Sequence, residues 1–313
     1  MLSLFSKHAR IVVVLSVLLS ANIAFATDKV VVCKQHSFPT TVPAGDYSGI
    51  AWLGGDKYAV VSDKSADEGF YLFTISVDSI TGEITNAVAG EFVKCGTGNR
   101  DLEGIAWMPD KNMMLMTGEK DNRIKAYTIS GKPLAVDIPR HQAHIKLPSN
   151  SGLESLSYNV QTKRLWTCNE TSDITIVAYD DRFNIVGSYP YIMDSPLKDG
   201  SKAAFYAHGV SELCALDDGN LLVLEREFYV PQAKIGSSVV CKLYEFYPQT
   251  LTKHLLSQWK SRLNLTSRSI ANYEGMCLGP RLKDGSRVVV MVADSQSQYK
   301  KVLKDWFKTI CIR

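Results

Sequence analysis

An all-β fold built from one repeated four-stranded unit is what the sequence predicts, and three observations carry that expectation. First, a short motif recurs five times: Tyr47-Ser48-Gly49-Ile50-Ala51-Trp52, Leu102-Glu103-Gly104-Ile105-Ala106-Trp107, Leu153-Glu154-Ser155-Leu156-Ser157-Tyr158, Ser211-Glu212-Leu213-Cys214-Ala215-Leu216 and Tyr273-Glu274-Gly275-Met276-Cys277-Leu278. Aligned on their second residues, the copies are spaced by 55, 51, 58 and 62 positions. Second, each copy runs through a turn into two further apolar stretches. Third, the last copy ends one strand short, while an apolar segment at 30–35 precedes the first copy without a partner. Four short antiparallel strands in each unit of about 40–60 residues is the pattern of a β-propeller blade. The expectation is five four-stranded blades, with the N-terminal strand pairing with the C-terminal blade so that the ring closes and no sheet edge is left free. The two longest copies leave a sixth blade open at 189–207 or 258–272.

The elements follow in order. Residues 1–26 read as a secretory signal peptide: Lys7, His8 and Arg10 form a basic start, 11–19 is an apolar core too short to span a bilayer, and Ala24-Phe25-Ala26 is a small-x-small cleavage site. The mature chain of 287 residues, beginning near Thr27, is expected to be exported to the periplasm or the extracellular space. Its composition, 45% hydrophobic and 21% charged, excludes disorder, and a mean hydropathy of -0.05 excludes a polytopic membrane protein. The formal charge of +3 falls to +1 with the leader removed, which leaves no footprint for nucleic acid.

Within each blade the second strand is read at 58–63, 113–119, 164–170, 221–225 and 288–294, after turn formers such as Gly54-Gly55-Asp56 and Asp217-Asp218-Gly219-Asn220. The third strand is read at 71–77, 124–129, 175–179, 239–246 and 306–312, and a weaker fourth follows in the first four copies. Side chains alternate along a strand, so Glu103, Ile105 and Trp107 share one face and Gly104, Ala106 and Met108 the other. A large face against a small one suits stacked blades, and it places Trp52 and Trp107 in the core. Of the seven cysteines, Cys168, Cys214 and Cys277 lie in apolar strands and read as buried thiols. Cys33 and Cys311, brought together by the pairing of the chain ends, are the disulfide candidates.

The repeating carboxylates are the functional signal. If the first two strands of a blade form a symmetric hairpin, Glu103 opposes Glu119, Glu154 opposes Glu170, Glu212 opposes Glu225, Glu274 opposes Asp294, and Ser48 opposes Asp63. Nine acids then converge on one mouth of the ring. Like charges facing each other on a sheet destabilise it, so the acids raise one another's pKa values or gather cations, and calcium suits such an oxygen-only set. As structural groups the same acids would instead fasten blade to blade through Arg100, Arg123 and Arg226. Lys64, Lys120 and Arg226 directly follow the second acid in three copies, where they could bind a phosphate. His208, just before Glu212, could shuttle a proton. No G-x-S-x-G elbow, H-E-x-x-H, Walker loop, dinucleotide fingerprint or EF-hand loop is present.

The motif series Ser48-Gly49, Asp101-Leu102-Glu103-Gly104-Ile105-Ala106, Ser151-Gly152-Leu153-Glu154-Ser155-Leu156, Leu222-Val223-Leu224-Glu225-Arg226, Glu274-Gly275-Met276 and Ala293-Asp294 resembles the exported bacterial domains called the esterase-like activity of phytase family. The resemblance covers nearly all of the mature chain and departs at Ser155, where glycine is usual. It implies a propeller whose recurring acids carry phosphodiester or ester hydrolysis. On that reading Glu103, Glu154, Glu212, Glu274 and His208 are catalytic, and Arg100, Lys120 and Arg226 bind substrate. Asp63, Glu119, Glu170, Glu225 and Asp294 hold a divalent metal, calcium above others. The expected partner is a small phosphoester or ester, met by a monomer with no nucleic acid and no membrane span in the mature chain. The alternative is a non-catalytic, calcium-stabilised propeller that binds a glycan, a peptide or an envelope protein.

Overall fold

In the computed structural model the described residues are 30–147, 152–171, 173–299 and 302–313, so the predicted leader lies outside them. Two short strands, β1 (Val30–Val32) and β2 (His36–Ser37), come first. Blade 1 is β3 (Tyr47–Gly54), β4 (Lys57–Ser62), β5 (Glu68–Val77) and β6 (Ile84–Gly96), and blade 2 is β7 (Leu102–Met108), β8 (Met113–Gly118) and β9 (Arg123–Tyr127). Blade 3 is β10 (Leu153–Asn159), β11 (Arg164–Asn169), β12 (Thr175–Tyr179) and β13 (Ile185–Pro190). Blade 4 is β14 (Ala203–Ala215), β15 (Leu221–Pro231), β16 (Ser238–Tyr247) and β17 (Thr252–Arg262). Blade 5 is β18 (Asn272–Arg281), β19 (Arg287–Asp294) and β20 (Trp306–Ile312). The architecture is a five-bladed β-propeller of antiparallel sheets. Among the described residues no helix is long and apolar enough to cross a membrane.

Blade 5 takes its outer strand from the start of the chain: Val31 pairs with Cys311, and His36 pairs with Phe307. Among the described residues blade 2 has no regular fourth strand. Its place is held by an isolated bridge between Tyr127 and Pro133, because prolines at 133 and 139 have no N–H to give to a ladder. The long copies hold no sixth blade among the described residues. They lengthen the β14–β15 hairpin, paired as far as Ala203 opposite Pro231, and the β16–β17 hairpin beyond it.

The second strands read as unbroken apolar runs because they are covered on both faces, and Tyr58, Val60, Leu115, Met116, Val223 and Val290 are fully buried. The core is divided into five clusters, one between each pair of neighbouring blades. Val61 and Phe70 meet Ile105 and Met116 between blades 1 and 2, for example, and Val290 and Phe307 of blade 5 meet Tyr58 and Phe73 of blade 1. Each fully buried large side chain contributes about 1.5–3 kcal/mol. Trp52 and Trp107 are not core residues: both are only half-buried, at the hairpin ends of their strands.

The first strands pack so closely around the axis that several positions admit no side chain. A Cβ on Gly104 would lie 2.6 Å from the Leu156 nitrogen, and one on Gly49 would lie 2.3 Å from the Glu103 carbonyl oxygen. Gly104→Val is therefore expected to cost about 3 kcal/mol, read as a lower denaturant midpoint. An unchanged midpoint would show that these strands can move apart. Cys33 donates its backbone N–H to Thr309, which sets Cys311 diagonally across the ladder with the two Sγ atoms 3.9 Å apart. Mild oxidation is expected to join them, seen as the loss of two hydrogens from the linked peptides. The bond would add about 2–4 kcal/mol of stability that Cys311→Ser lacks.

Candidate functional site

One irregularity, repeated in every blade, builds the site. Pairing between the first and second strands slips by one residue between Tyr47 and Gly49, Leu102 and Ile105, Leu153 and Ser155, Val210 and Glu212, and Tyr273 and Gly275. Such a β-bulge re-aims the side chain of its extra residue. The residues in these steps include Ser48, Glu103, Glu154, Ser211 and Glu274. On the far side of each bulge the ladder continues in the new register. Asp63 donates its N–H to Asp46, Glu119 to Asp101 and Glu170 to Gly152, while Arg226 pairs with Gly209 and Asp294 with Asn272.

The symmetric hairpins expected from the sequence are thus displaced by the bulge. Glu119 faces Asp101 rather than Glu103, and Asp294 faces Asn272 rather than Glu274. In blade 4 the displacement changes which residues reach the axis: Ser211 and Arg226 take the positions assigned to Glu212 and Glu225. Glu225 turns to the side of the blade, where Tyr191 Oη donates to it at 2.8 Å and Lys253 pairs with it. Glu212 occupies the tight position that is glycine or serine in the other blades, and its carboxylate is buried on the axis, accepting the N–H of Leu213 at 2.9 Å. His208 stands opposite Glu227, on the strand face away from Arg226, and does not line the mouth. Arg100 is a buried fastener, bonded to Glu68 at 2.6 Å and to Asp121 at 2.7 Å. Lys120 is exposed at the rim, 3.6 Å from Asp101.

What converges is a cavity of about 470 Å³ lined by eight carboxylates, Asp46, Asp63, Glu103, Glu119, Glu154, Glu170, Glu274 and Asp294, and by two cations, Lys64 and Arg226. Asp46 and Asp101 were not singled out in the sequence. Each lies two positions before the bulge residue, and that shared offset was the available signal. Arg226 holds Asn272 at 2.9 Å, Glu170 at 2.8 Å and Glu274, yet its Nε is buried without a partner. Lys64 bridges Asp63 and Asp101, the latter at 3.0 Å. Gly152 donates its N–H to Glu119 at 3.0 Å, and Gln296 donates to Asp294 at 2.7 Å.

Among the described residues no hydrogen bond reaches the carboxylates of Glu103 or Glu154. Burial first, and then the neighbouring acids, hold both well above the usual carboxylate range. Burial raises Glu274 to about 7, with Arg226 pulling it back, and burial and Glu274 raise Asp294 to about 9. Oxygens of Asp63, Asp101 and Glu103 lie within 4.8 Å of one another, and the second oxygen of Asp63 is buried with no partner. An all-oxygen set with unsatisfied acceptors fits a hard divalent cation. It does not fit an anionic substrate alone, since eight carboxyl groups there outnumber the two cations.

The folded protein keeps protons on these acids that the unfolded chain, with carboxyls near 4, releases. Their contribution to stability is therefore complete below about pH 4 and is lost as pH rises through 7 and 9. In chelator-treated protein the melting temperature is expected to fall from pH 6 to 9, and Asp294→Asn to flatten that fall. A flat wild-type profile would mean that the acids ionise without cost.

The family model described as phytase-like, esterase-like activity of phytase, matches residues 42–296. Solved structures of similar shape include a streptogramin B lyase at 12% identity, with 90% of this chain and 98% of that one covered and a TM-score of 0.41. They also include a luciferin-regenerating enzyme at 10% identity, with 90% and 95% covered and a TM-score of 0.46. A third is the tail fiber of Staphylococcus aureus phage P68 at 13% identity, with 89% and 52% covered and a TM-score of 0.45. No curated protein matches the sequence. With the family model spanning all five copies of the bulged motif, the chain belongs to the phytase-like family, esterase-like activity of phytase.

Proposed function

We propose that the protein is an exported, monomeric, divalent-metal-dependent hydrolase of a phosphoester or carboxylic ester, working at the carboxylate-lined mouth. The observation that carries this reading is the pair of inward-facing acids, Glu103, which is buried, and Glu154, which is half-buried, that meet no hydrogen-bond donor among the described residues. Beside them one oxygen of Asp63 is buried without a partner, which costs free energy, whereas the carboxylate of Glu225 is held by Tyr191 and Lys253.

Asp63, Asp101 and Glu103 are the residues that would hold the cation, calcium being the best match to their oxygens. A bound cation supplies charge neutralisation, polarisation of the phosphoryl or carbonyl oxygen, and a more acidic water. Lys64 and Arg226 orient the acids and face the anionic oxygens of the substrate. Glu274, titrating near 7, is matched to take a proton from the attacking water, and Glu154, whose carboxyl is held well above the usual carboxylate range by burial and the neighbouring acids, is placed to give one to the leaving alcohol. The new bond joins the water oxygen to phosphorus or to the acyl carbon as the bond to the alcohol oxygen breaks.

The test offers the purified protein p-nitrophenyl phosphate, bis-p-nitrophenyl phosphate and p-nitrophenyl butyrate, after chelation and again with calcium. Calcium-dependent release of nitrophenolate is expected, and with an unactivated alcohol as leaving group, as in glycerol 2-phosphate or ethyl butyrate, Glu154→Gln should lower kcat by about 10²–10⁴-fold with the melting temperature kept. His208→Asn should leave the rate unchanged. A protein that hydrolyses none of these yet gains thermal stability from calcium would instead be the non-catalytic, calcium-stabilised propeller.

A further inference from the structure

The axis has a second end. Beyond the bulges the first strands run on to their hairpin turns, and four residues past Glu103, about 13 Å along the strand, stands Trp107. Here residues from all five blades surround a cup of about 280 Å³, just under the usual range for small-ligand pockets, about 300–1,000 Å³. It shares no lining residue with the acidic mouth. Glu212 stands between the two, its carboxylate held by the backbone amides of Leu213, Leu156 and Met276.

The wall of the cup is apolar and aromatic, with Trp52, Trp107 and Tyr158 half-buried around its opening. Two charged groups line it, and they differ. Asp217 is already satisfied, bonded to Arg281 at 2.8 Å and to Asn159 at 2.9 Å. Arg287 is not: its guanidinium lies 5.7 Å from the centre of the Trp52 ring, its Nε is buried without a hydrogen-bond partner, and among the described residues no carboxylate pairs with it. Arg287 as a whole is half-buried, and its buried Nε with the donor unused is costly unless something supplies the acceptor. Aromatic walls beside it supply the rest of a recognition site, a flat surface for rings.

We propose that this cup binds a small, flat, apolar molecule carrying a carboxylate or sulfonate, with its rings against Trp107 and Tyr158 and its anion on Arg287. The site is independent of whether the acidic mouth hydrolyses anything.

Two dyes with the same rings test it on the intact protein: 8-anilinonaphthalene-1-sulfonate, which carries the anion, and N-phenyl-1-naphthylamine, which does not. Saturable one-site binding of the sulfonate is expected, with energy transfer from tryptophan. Arg287→Met should weaken the sulfonate by about tenfold or more and leave the neutral dye unchanged, whereas Trp107→Ala should weaken both. If Arg287→Met fails to fold, Arg287→Gln, which keeps a polar head on the strand, should show the same selective loss. Binding that survives both substitutions would place the dye elsewhere, such as the Phe205–Phe228 patch, and overturn the proposal. Absence of saturable binding would overturn it as well.

Discussion

Five strands meeting around one axis leave little room, and the one-residue slip in each innermost hairpin is how this chain fills that room. The slip re-aims one side chain per blade toward the mouth, and the residue after it must then pass within contact distance of the next blade. Gly49, Gly104, Ser155 and Gly275 meet that demand by being small. Glu212 meets it differently: its carboxylate reaches backbone amides of blades 3 and 5, so the fourth blade closes the axis with a buried acid. The same residue divides the axis into an acidic end and an aromatic end. Both cavities, and the wall between them, follow from where the bulges fall.

The acidic end is costly for the fold. Eight carboxylates share a space with two cations, and burial pushes several of them far from their ordinary titration range. Arg226 relieves part of this by holding Glu170 and Glu274, but it cannot serve Glu103 and Glu154, which keep no donor among the described residues. Concentrated, unsatisfied charge of this kind is retained where cations or substrate complete it.

Other acids in the chain show what completion looks like. Glu68 receives Arg100 and the Tyr127 hydroxyl, each at 2.6 Å, and so ties blade 1 to blade 2. Glu225 receives Tyr191, Lys253 and the Asp194 N–H, which binds the connection between blades 3 and 4 to blade 4 itself. These are fasteners, and removing one partner from such a buried pair costs about 3–5 kcal/mol. In the linear sequence Glu225 looked no different from Glu170, since each closes the second strand read in its copy.

The five copies, the order of their strands and the turns between them were determined by the sequence alone, because each is written in local periodicity and turn chemistry that recurs every 51 to 62 residues, whereas the absence of a sixth blade among the described residues was decided by the long hairpins of blade 4. That Glu103, Glu154 and Glu274 reach one mouth was legible for the same reason. Which residues of blade 4 reach it was not. Ser211-Glu212 and Glu225-Arg226 offer two registers that differ by one residue, and only packing of the fourth blade against its neighbours selects the one that turns Arg226 inward and Glu212 onto the axis. Trp52 and Trp107 pose the same problem: alternation assigned them a face, but whether that face is core or cup depends on how far apart five hairpin ends stand, a distance that no single strand encodes.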